Sequence, residues 1–199
     1  MTDKAIIVFT RNPELGKCKT RLAKSIGDEE ALNVYKKLLQ HTADVVKKVD
    51  ADRFVFYSEN IQGNDIWESA FFHKELQHGK DLGERMQSAF EHVFSKQFSK
   101  VIIVGSDLLD LSPEIIENAF NSLNDNDAVI GPAEDGGYYL LGMKTLHKAT
   151  FKNKDWGKET VLEQTKNDFF GKSLYVLETL NDIDYLEDLK PYETFNYLF

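Results

Sequence analysis

The chain is expected to fold as a single α/β domain built on a mostly parallel sheet, and three observations predict this. Apolar, β-branched runs recur along it, at Ile6-Ile7-Val8-Phe9, Val101-Ile102-Ile103-Val104 and residues 127–131, the pattern of strands buried on both faces. Segments with apolar residues at three- and four-residue spacing separate them, so strands and helices alternate as in sheets built from right-handed crossovers. A length of 199 residues with 42% hydrophobic content suits one core and is short for two.

The first strand covers Lys4–Thr10 and stops at Arg11-Asn12-Pro13. After a loop, Asp28 is read as the cap of a long amphipathic helix carrying Ala31, Tyr35, Leu38, Thr42, Val45 and Val49 on one face. A second strand follows at Asp52–Tyr57, then a short helix over 66–72 and a polar turn at Gln77-His78-Gly79. Leu82, Met86, Ala89, Phe90 and Val93 predict a further helix, and 101–104 is the most convincing buried strand. Ser112 followed by Pro113 predicts the start of another helix, with serine as cap and proline in the first turn. Strands at 127–131 and Tyr138–Met143, a helix at 160–170, a strand at 173–177 and one or two short helices in the acidic tail complete the reading.

The formal charge of −9 and pI near 5.1 oppose general affinity for nucleic acid or an anionic membrane, both of which repel a net-negative surface. A small molecule is the expected partner. Cys18 is the sole cysteine, so no internal disulfide or cysteine-rich metal site forms, which fits a reducing cytoplasm. The N-terminal apolar run, Ala5 to Phe9, is too short for a signal-peptide core or a membrane span. Oligomeric state is left open.

Three polar clusters follow strands at the edge where such sheets bind ligands. The first gathers Arg11, Lys17, Lys19, Arg21 and Lys24 around Gly16; a basic loop between strand and helix makes a phosphate cradle. It lacks the Walker spacing, and an ordinary solvated basic loop is the alternative. In the second, Asp107 stands just past the strand at 101–104. A carboxylate there suits Mg²⁺ or Mn²⁺, which take hard oxygen ligands with substrate phosphates; capping a turn is the alternative. The third places Glu134 and Asp135 before Gly136-Gly137, glycines that let backbone approach a ligand closely. Asp135 is open to acceptor binding, base or metal roles, or to a simple acidic turn. Asp184, in Asn181-Asp182-Ile183-Asp184, is a second candidate metal ligand if the tail folds back. Trp67 and Trp156 are open to stacking on a base or sugar, and a core or edge position is the more frequent role of each.

At these motifs the chain resembles a bacterial family of glycosyltransferase type A (GT-A) proteins assigned as transferases and linked to radical-SAM and selenium-related domains. The matching run is Phe9-Thr10-Arg11-Asn12-Pro13-Glu14-Leu15-Gly16-Lys17-Cys18-Lys19-Thr20-Arg21-Leu22, with further matches at Asp81-Leu82-Gly83-Glu84-Arg85-Met86, Gly105-Ser106-Asp107, residues 131–142 and Asp182-Ile183-Asp184. More distantly it is similar to the molybdenum-cofactor and phospholactate guanylyltransferases. The resemblance implies one nucleotide-diphospho-sugar transferase-like domain over 1–199: a GT-A, Rossmann-like three-layer sandwich, metal-dependent through Asp107. Two positions depart from the pattern: Leu109 and Tyr185-Leu186 stand where the family has Pro and Thr-Pro.

The leading reading is a metal-dependent glycosyl transferase using a nucleotide-sugar. Arg11, Gly16, Lys19 and Arg21 would meet phosphates, Gln77, Gly83 and Arg85 base or ribose, Asp107 and Asp184 the metal, and Asp107 and Asp135 the chemistry, with Glu134, Gly136 and Gly137 on the acceptor side. Nucleotidylyl transfer with release of pyrophosphate is the alternative, and a non-catalytic nucleotide-binding module the third reading.

Overall fold

The apolar runs become strands of a seven-stranded sheet in the computed structural model, which describes residues 2–199. Strand β1 (Lys4–Thr10) lies centrally, parallel to β2 (Asp52–Tyr57) on one side and to β4 (Lys100–Val104) on the other. Beyond β2 runs the parallel edge strand β3 (His73–Leu76). On the other side β6 (Tyr138–Met143) is antiparallel to both β4 and β5 (Ala128–Pro132), and β7 (Leu174–Val176) is parallel to β5 at the far edge. The order is β3-β2-β1-β4-β6-β5-β7.

Alternate strand residues point to opposite faces, and each face meets its own helical layer. Ile6, Val8, Ile102 and Val104 pack with α2 (Asp28–Lys47) and α4 (Pro113–Ser122). Ala5, Ile7, Val101 and Ile103 pack with α3 (Leu82–Phe94). The short helices α1 (Thr20–Ile26) and α5 (Val161–Asp168) flank the loops at the carboxyl edge. The result is the predicted three-layer sandwich. Capping follows the sequence where hydroxyl or carboxylate can reach back: Asp81 accepts the Glu84 N–H at 2.8 Å, and Ser112 accepts that of Ile115 at 3.3 Å.

Strand order places the functional edge. From β1 the chain winds outward through β2 and β3, then returns to β4 on the opposite side of β1. The loops leaving β1 and β4 therefore diverge and open a crevice between them, the switch point of a doubly wound sheet. Because β6 runs antiparallel, with Leu140 opposite Val104, it delivers the turn before Tyr138 to the same edge.

The expectations for the connections need correction. Residues 66–72 form turns, not a helix: the Asp65 carboxylate accepts the Trp67 N–H at 3.1 Å, the Tyr57 hydroxyl at 2.6 Å and the Lys74 ammonium at 2.7 Å, pinning Trp67 into the core. The strand His73–Leu76 was not predicted, since an edge strand of alternating charge carries no apolar signal. Nor was α1, a helix of two turns inside the basic loop. Asp28 is the first residue of α2 rather than its cap, a position held by Gly27 at φ 83°. The tail forms two 3-10 turns, Leu186–Leu189 and Glu193–Leu198. Among the described residues no helix is long and apolar enough to cross a membrane.

Near the end of β6, a Cβ on Gly142 would collide with the γ-carbons of Ile102 and Val129 on the two neighbouring strands. Gly142→Ala is therefore expected to lower unfolding free energy by about 1–3 kcal/mol, read in urea as a lower midpoint at unchanged slope.

Candidate functional site

The basic loop is held rigidly at its root. Tyr35 on α2 accepts the Arg11 N–H at 3.0 Å and donates its hydroxyl to the Arg11 carbonyl at 3.2 Å. Buried Asn12 donates to the Asn60 carbonyl at 2.8 Å and accepts the Glu59 N–H at 3.0 Å, tying the loops after β1 and β2 together. Gly16, at φ 73°, turns the chain back toward the sheet, and Lys19 adopts the left-handed conformation (φ 48°, ψ 45°) before α1. Few non-glycine residues occupy that region without a compensating constraint.

That constraint is ionic. The Lys19 ammonium lies 3.1 Å from Asp107 Oδ2 and 3.0 Å from Asp184 Oδ1, its side chain 7% exposed. Burial by itself would depress the ammonium, but the two carboxylates outweigh it and hold the pKa above its ordinary value. Arg21 reaches Asp184 Oδ2 at 2.8 Å, with its guanidinium 5.8 Å from the centre of the Tyr185 ring. Tyr185, one of the departures from the family pattern, thus backs the arginine. The Asp188 carboxylate fixes the acidic loop by accepting the N–H groups of Asp184 and Tyr185 at 2.9 and 2.7 Å.

Around this cluster lie two adjoining chambers. The larger, about 830 Å³, is lined by Arg11, Lys19, Arg21, Gln77, Arg85 and Asp184 among others. The smaller, about 220 Å³, is walled mainly by apolar side chains, with Asp182 and Gly137 also lining it. Asp107, Asp135 and Leu82 line both, at the junction. The basic loop and the carboxylate after β4 therefore face each other across one crevice.

A family model described as "Uncharacterized protein conserved in bacteria (DUF2064)" matches residues 41–158, more than half of the chain. A crystal structure from Desulfovibrio desulfuricans G20, assigned as a nucleotide-diphospho-sugar transferase, is 31% identical, with TM-score 0.90 over 98% of this chain and 89% of that one. The chain belongs to the DUF2064 family. Among curated proteins, the 2-phospho-L-lactate guanylyltransferase of Methanocaldococcus jannaschii is 26% identical over 149 residues, 74% of this chain and 64% of the relative. The chain thus spans less than two thirds of that relative's length. A Mycobacterium tuberculosis H37Rv protein solved with manganese shares the fold alone, at 12% identity and TM-score 0.57 over 96% of this chain and 97% of that one. The GT-A-like sandwich and the kinship to nucleotide-using transferases are thereby established; the DUF2064 match omits both the basic loop and the acidic tail.

Within this DUF2064 chain, the candidate residues divide by what they touch. Gln77 spends its amide on the Thr10 and Phe56 carbonyls at 3.1 and 3.0 Å, and its oxygen faces Arg85 at 3.5 Å, so it braces the strand ends and orients the arginine. Gly83 lines neither chamber: a Cβ there would meet the Trp156 indole and the Phe151 carbonyl, so glycine lets that segment pack on α3. Gly136, at φ 85°, abuts the Glu159 backbone and accepts the Leu162 N–H at 2.9 Å. Exposed Glu134 also lies outside both chambers. Asp135 accepts the Gly137 N–H at 2.8 Å, closing the acidic turn.

Three residues of the site escaped the sequence reading. Leu82 reads as an ordinary apolar residue, and Trp156 as a core or edge position before a stacking one. Asp182 stands in the sequence only as part of the acidic run around Asp184, yet its Oδ1 is buried without a hydrogen-bond partner, and burial, then Asp107 and Asp135, push its carboxyl up to about 7.

A carboxyl raised in the folded state binds its proton there at pH values where the unfolded chain has released it, so stability falls as pH rises from about 4 to about 7. Asp182→Asn is expected to raise the melting temperature at pH 8. The gain should shrink as pH falls through 7 and vanish near 4; an equal gain at all pH values would contradict the assignment.

Proposed function

We propose that this DUF2064 chain is a metal-dependent nucleotidylyltransferase: it moves a nucleoside monophosphate from a nucleoside triphosphate to an acceptor and releases pyrophosphate. This inverts the order in which the sequence ranks the two transfer reactions. One observation carries it: Lys19 and Arg21 meet Asp107 and Asp184 at 2.8–3.1 Å in a chamber of about 830 Å³ that also holds Arg11, Lys17, Lys80 and Arg85. Lys17 is paired with Glu14 at 2.6 Å, and Lys19 and Arg21 with Asp107 and Asp184, so Arg11, Lys80 and Arg85 are the cations of this lining without an ion pair among the described residues, and three such charges suit a triphosphate better than the two charges of a nucleotide-sugar. The guanylyltransferase relative supports the same choice.

In this reading Arg11, Lys19 and Arg21 bind phosphates, Arg85 braced by Gln77 faces base or ribose, and Gly16 and Gly83 act through backbone and packing. Asp135, with Gly136 and Gly137 shaping its turn, stands on the acceptor side. An acceptor hydroxyl oxygen attacks the α-phosphorus and gives up its proton to the Asp135 carboxylate, the bond to the bridging oxygen breaks, and pyrophosphate leaves. Positioning and charge neutralisation do most of the work.

The carboxylates fit a divalent ion, although among the described residues no three potential ligands stand together as a ready-made metal site. Asp107, Asp182 and Asp184 are hard oxygen donors of the kind Mg²⁺ or Mn²⁺ prefers. The buried Asp182 Oδ1 has no hydrogen-bond partner, and the Lys19 ammonium already sits as a cation between Asp107 and Asp184. Held by Asp107 with Asp184 or Asp182, the ion would neutralise charge on the polyphosphate.

Glycosyl transfer is the second reading, favoured by the 31% identical relative from D. desulfuricans. Incubation with GTP, CTP or UTP, Mg²⁺ or Mn²⁺ and a panel of hydroxyl acceptors is expected to release pyrophosphate. Release of nucleoside diphosphate from nucleotide-sugars, without pyrophosphate from any triphosphate, would establish the glycosyl reading instead. Lys19→Ala and Asp107→Asn should each lower kcat/KM by about 10²–10³-fold, the usual loss when one preorganised charge is removed. Unchanged turnover in either variant would remove that residue from the site.

A further inference from the structure

Resting on the transferase reading above, we infer that the smaller chamber is the acceptor site and that it selects an uncharged, largely apolar, hydroxyl-bearing molecule rather than a phosphorylated one. The two chambers divide chemistry sharply. Phe9, Met86, Tyr138, Trp156 and Val161 wall the smaller one above a floor of Ile103. Its volume of about 220 Å³ admits a one-ring or branched-chain body and is too small for a nucleotide.

Charge points the same way. Three carboxylates, Asp107, Asp135 and Asp182, line the smaller chamber, and the one cation among its lining residues is Lys158, solvent-exposed and 3.5 Å from Asp155. The basic side chains that could meet a phosphate line the other chamber, where the donor's polyphosphate would engage them. A phosphorylated acceptor would bring at least two further negative charges beside Asp135 and Asp182, while Asp107 is already offset by Lys19 at 3.1 Å, in a cleft whose apolar walls strengthen the repulsion. An uncharged body instead buries its apolar surface against Trp156 and Tyr138. Its hydroxyl would then emerge at the junction, where Asp107 and Asp135 line both chambers and the donor phosphates would lie alongside.

The packing makes the selection structural. Trp156 sits over Gly83, where any Cβ would meet the indole, and Tyr138 donates its hydroxyl to the Met86 sulfur at 3.8 Å. A carboxylate or phosphate entering between them would lose its hydration and find only the solvent-exposed Lys158 as a cation in the lining. On this ground the acceptor of the guanylyltransferase relatives, a phosphate ester of a hydroxy acid, does not transfer to this chain.

The test reads binding and needs no turnover. Ligand-observed NMR on the full chain, with 2-phenylethanol and 2-phospho-L-lactate at equal millimolar concentration, is expected to show binding of the neutral alcohol and none of the phosphoester. Trp156→Ala should weaken the alcohol by roughly tenfold, the loss of one aromatic wall. Leu82→Arg, at an exposed residue of the junction and so safe for folding, should weaken the alcohol and admit the phosphoester by adding the missing cation. Preferential binding of 2-phospho-L-lactate, binding of neither probe, or indifference of the alcohol to both substitutions would each overturn the inference. Addition of GTP, CTP and UTP in the same experiment separates the two readings. If no nucleotide binds while the alcohol does, the transferase reading fails and the chamber's selectivity stands; if a nucleotide binds and the phosphoester is preferred, only the acceptor inference falls.

Discussion

A lysine ammonium removed from water must be compensated, and the compensation at Lys19 comes from two distant parts of the chain at once. Asp107 follows β4 and Asp184 lies in the tail, 88 and 165 residues from the lysine, yet both reach its Nζ. Like charges brought this close would repel without the cation between them, so Lys19 is what allows Asp107 and Asp184 to share one crevice. The left-handed turn at Lys19, the Gly16 turn before it and the Asp188 bonds to the acidic loop all serve that placement.

The sheet makes the encounter possible. The order β3-β2-β1-β4 puts the buried strands β1 and β4 side by side with their onward connections leaving in opposite directions, and the crevice this opens is where the basic loop and Asp107 meet. The antiparallel β6 then brings Asp135 to the same edge from the other side of β4. Rigid strands position the charged groups, and the loops carry only the final few ångströms of placement.

Polarity is partitioned across this edge. Cations gather on the β1 side in the larger chamber, apolar and aromatic walls on the β6 side in the smaller, with Asp107 at their boundary.

The buried strands and amphipathic helices were legible in the sequence because both periodicities are set locally, by β-branched runs and by three- and four-residue spacing. The basic loop and Asp107 were legible too, since charge concentrated after a buried strand has no packing purpose. Local pattern could not reveal the edge strand His73–Leu76, whose sequence alternates charge, or the turns at 66–72, which are held by Asp65 reaching a strand and a lysine far from its own backbone. Tertiary structure alone decided that Asp182 buries an oxygen without a hydrogen-bond partner, that Gly83 serves Trp156, and that Trp156 and Leu82 wall the site. Each of those roles is defined by a neighbour distant in the chain, and spacing along a sequence carries no record of which distant residues the folded sheet will set face to face.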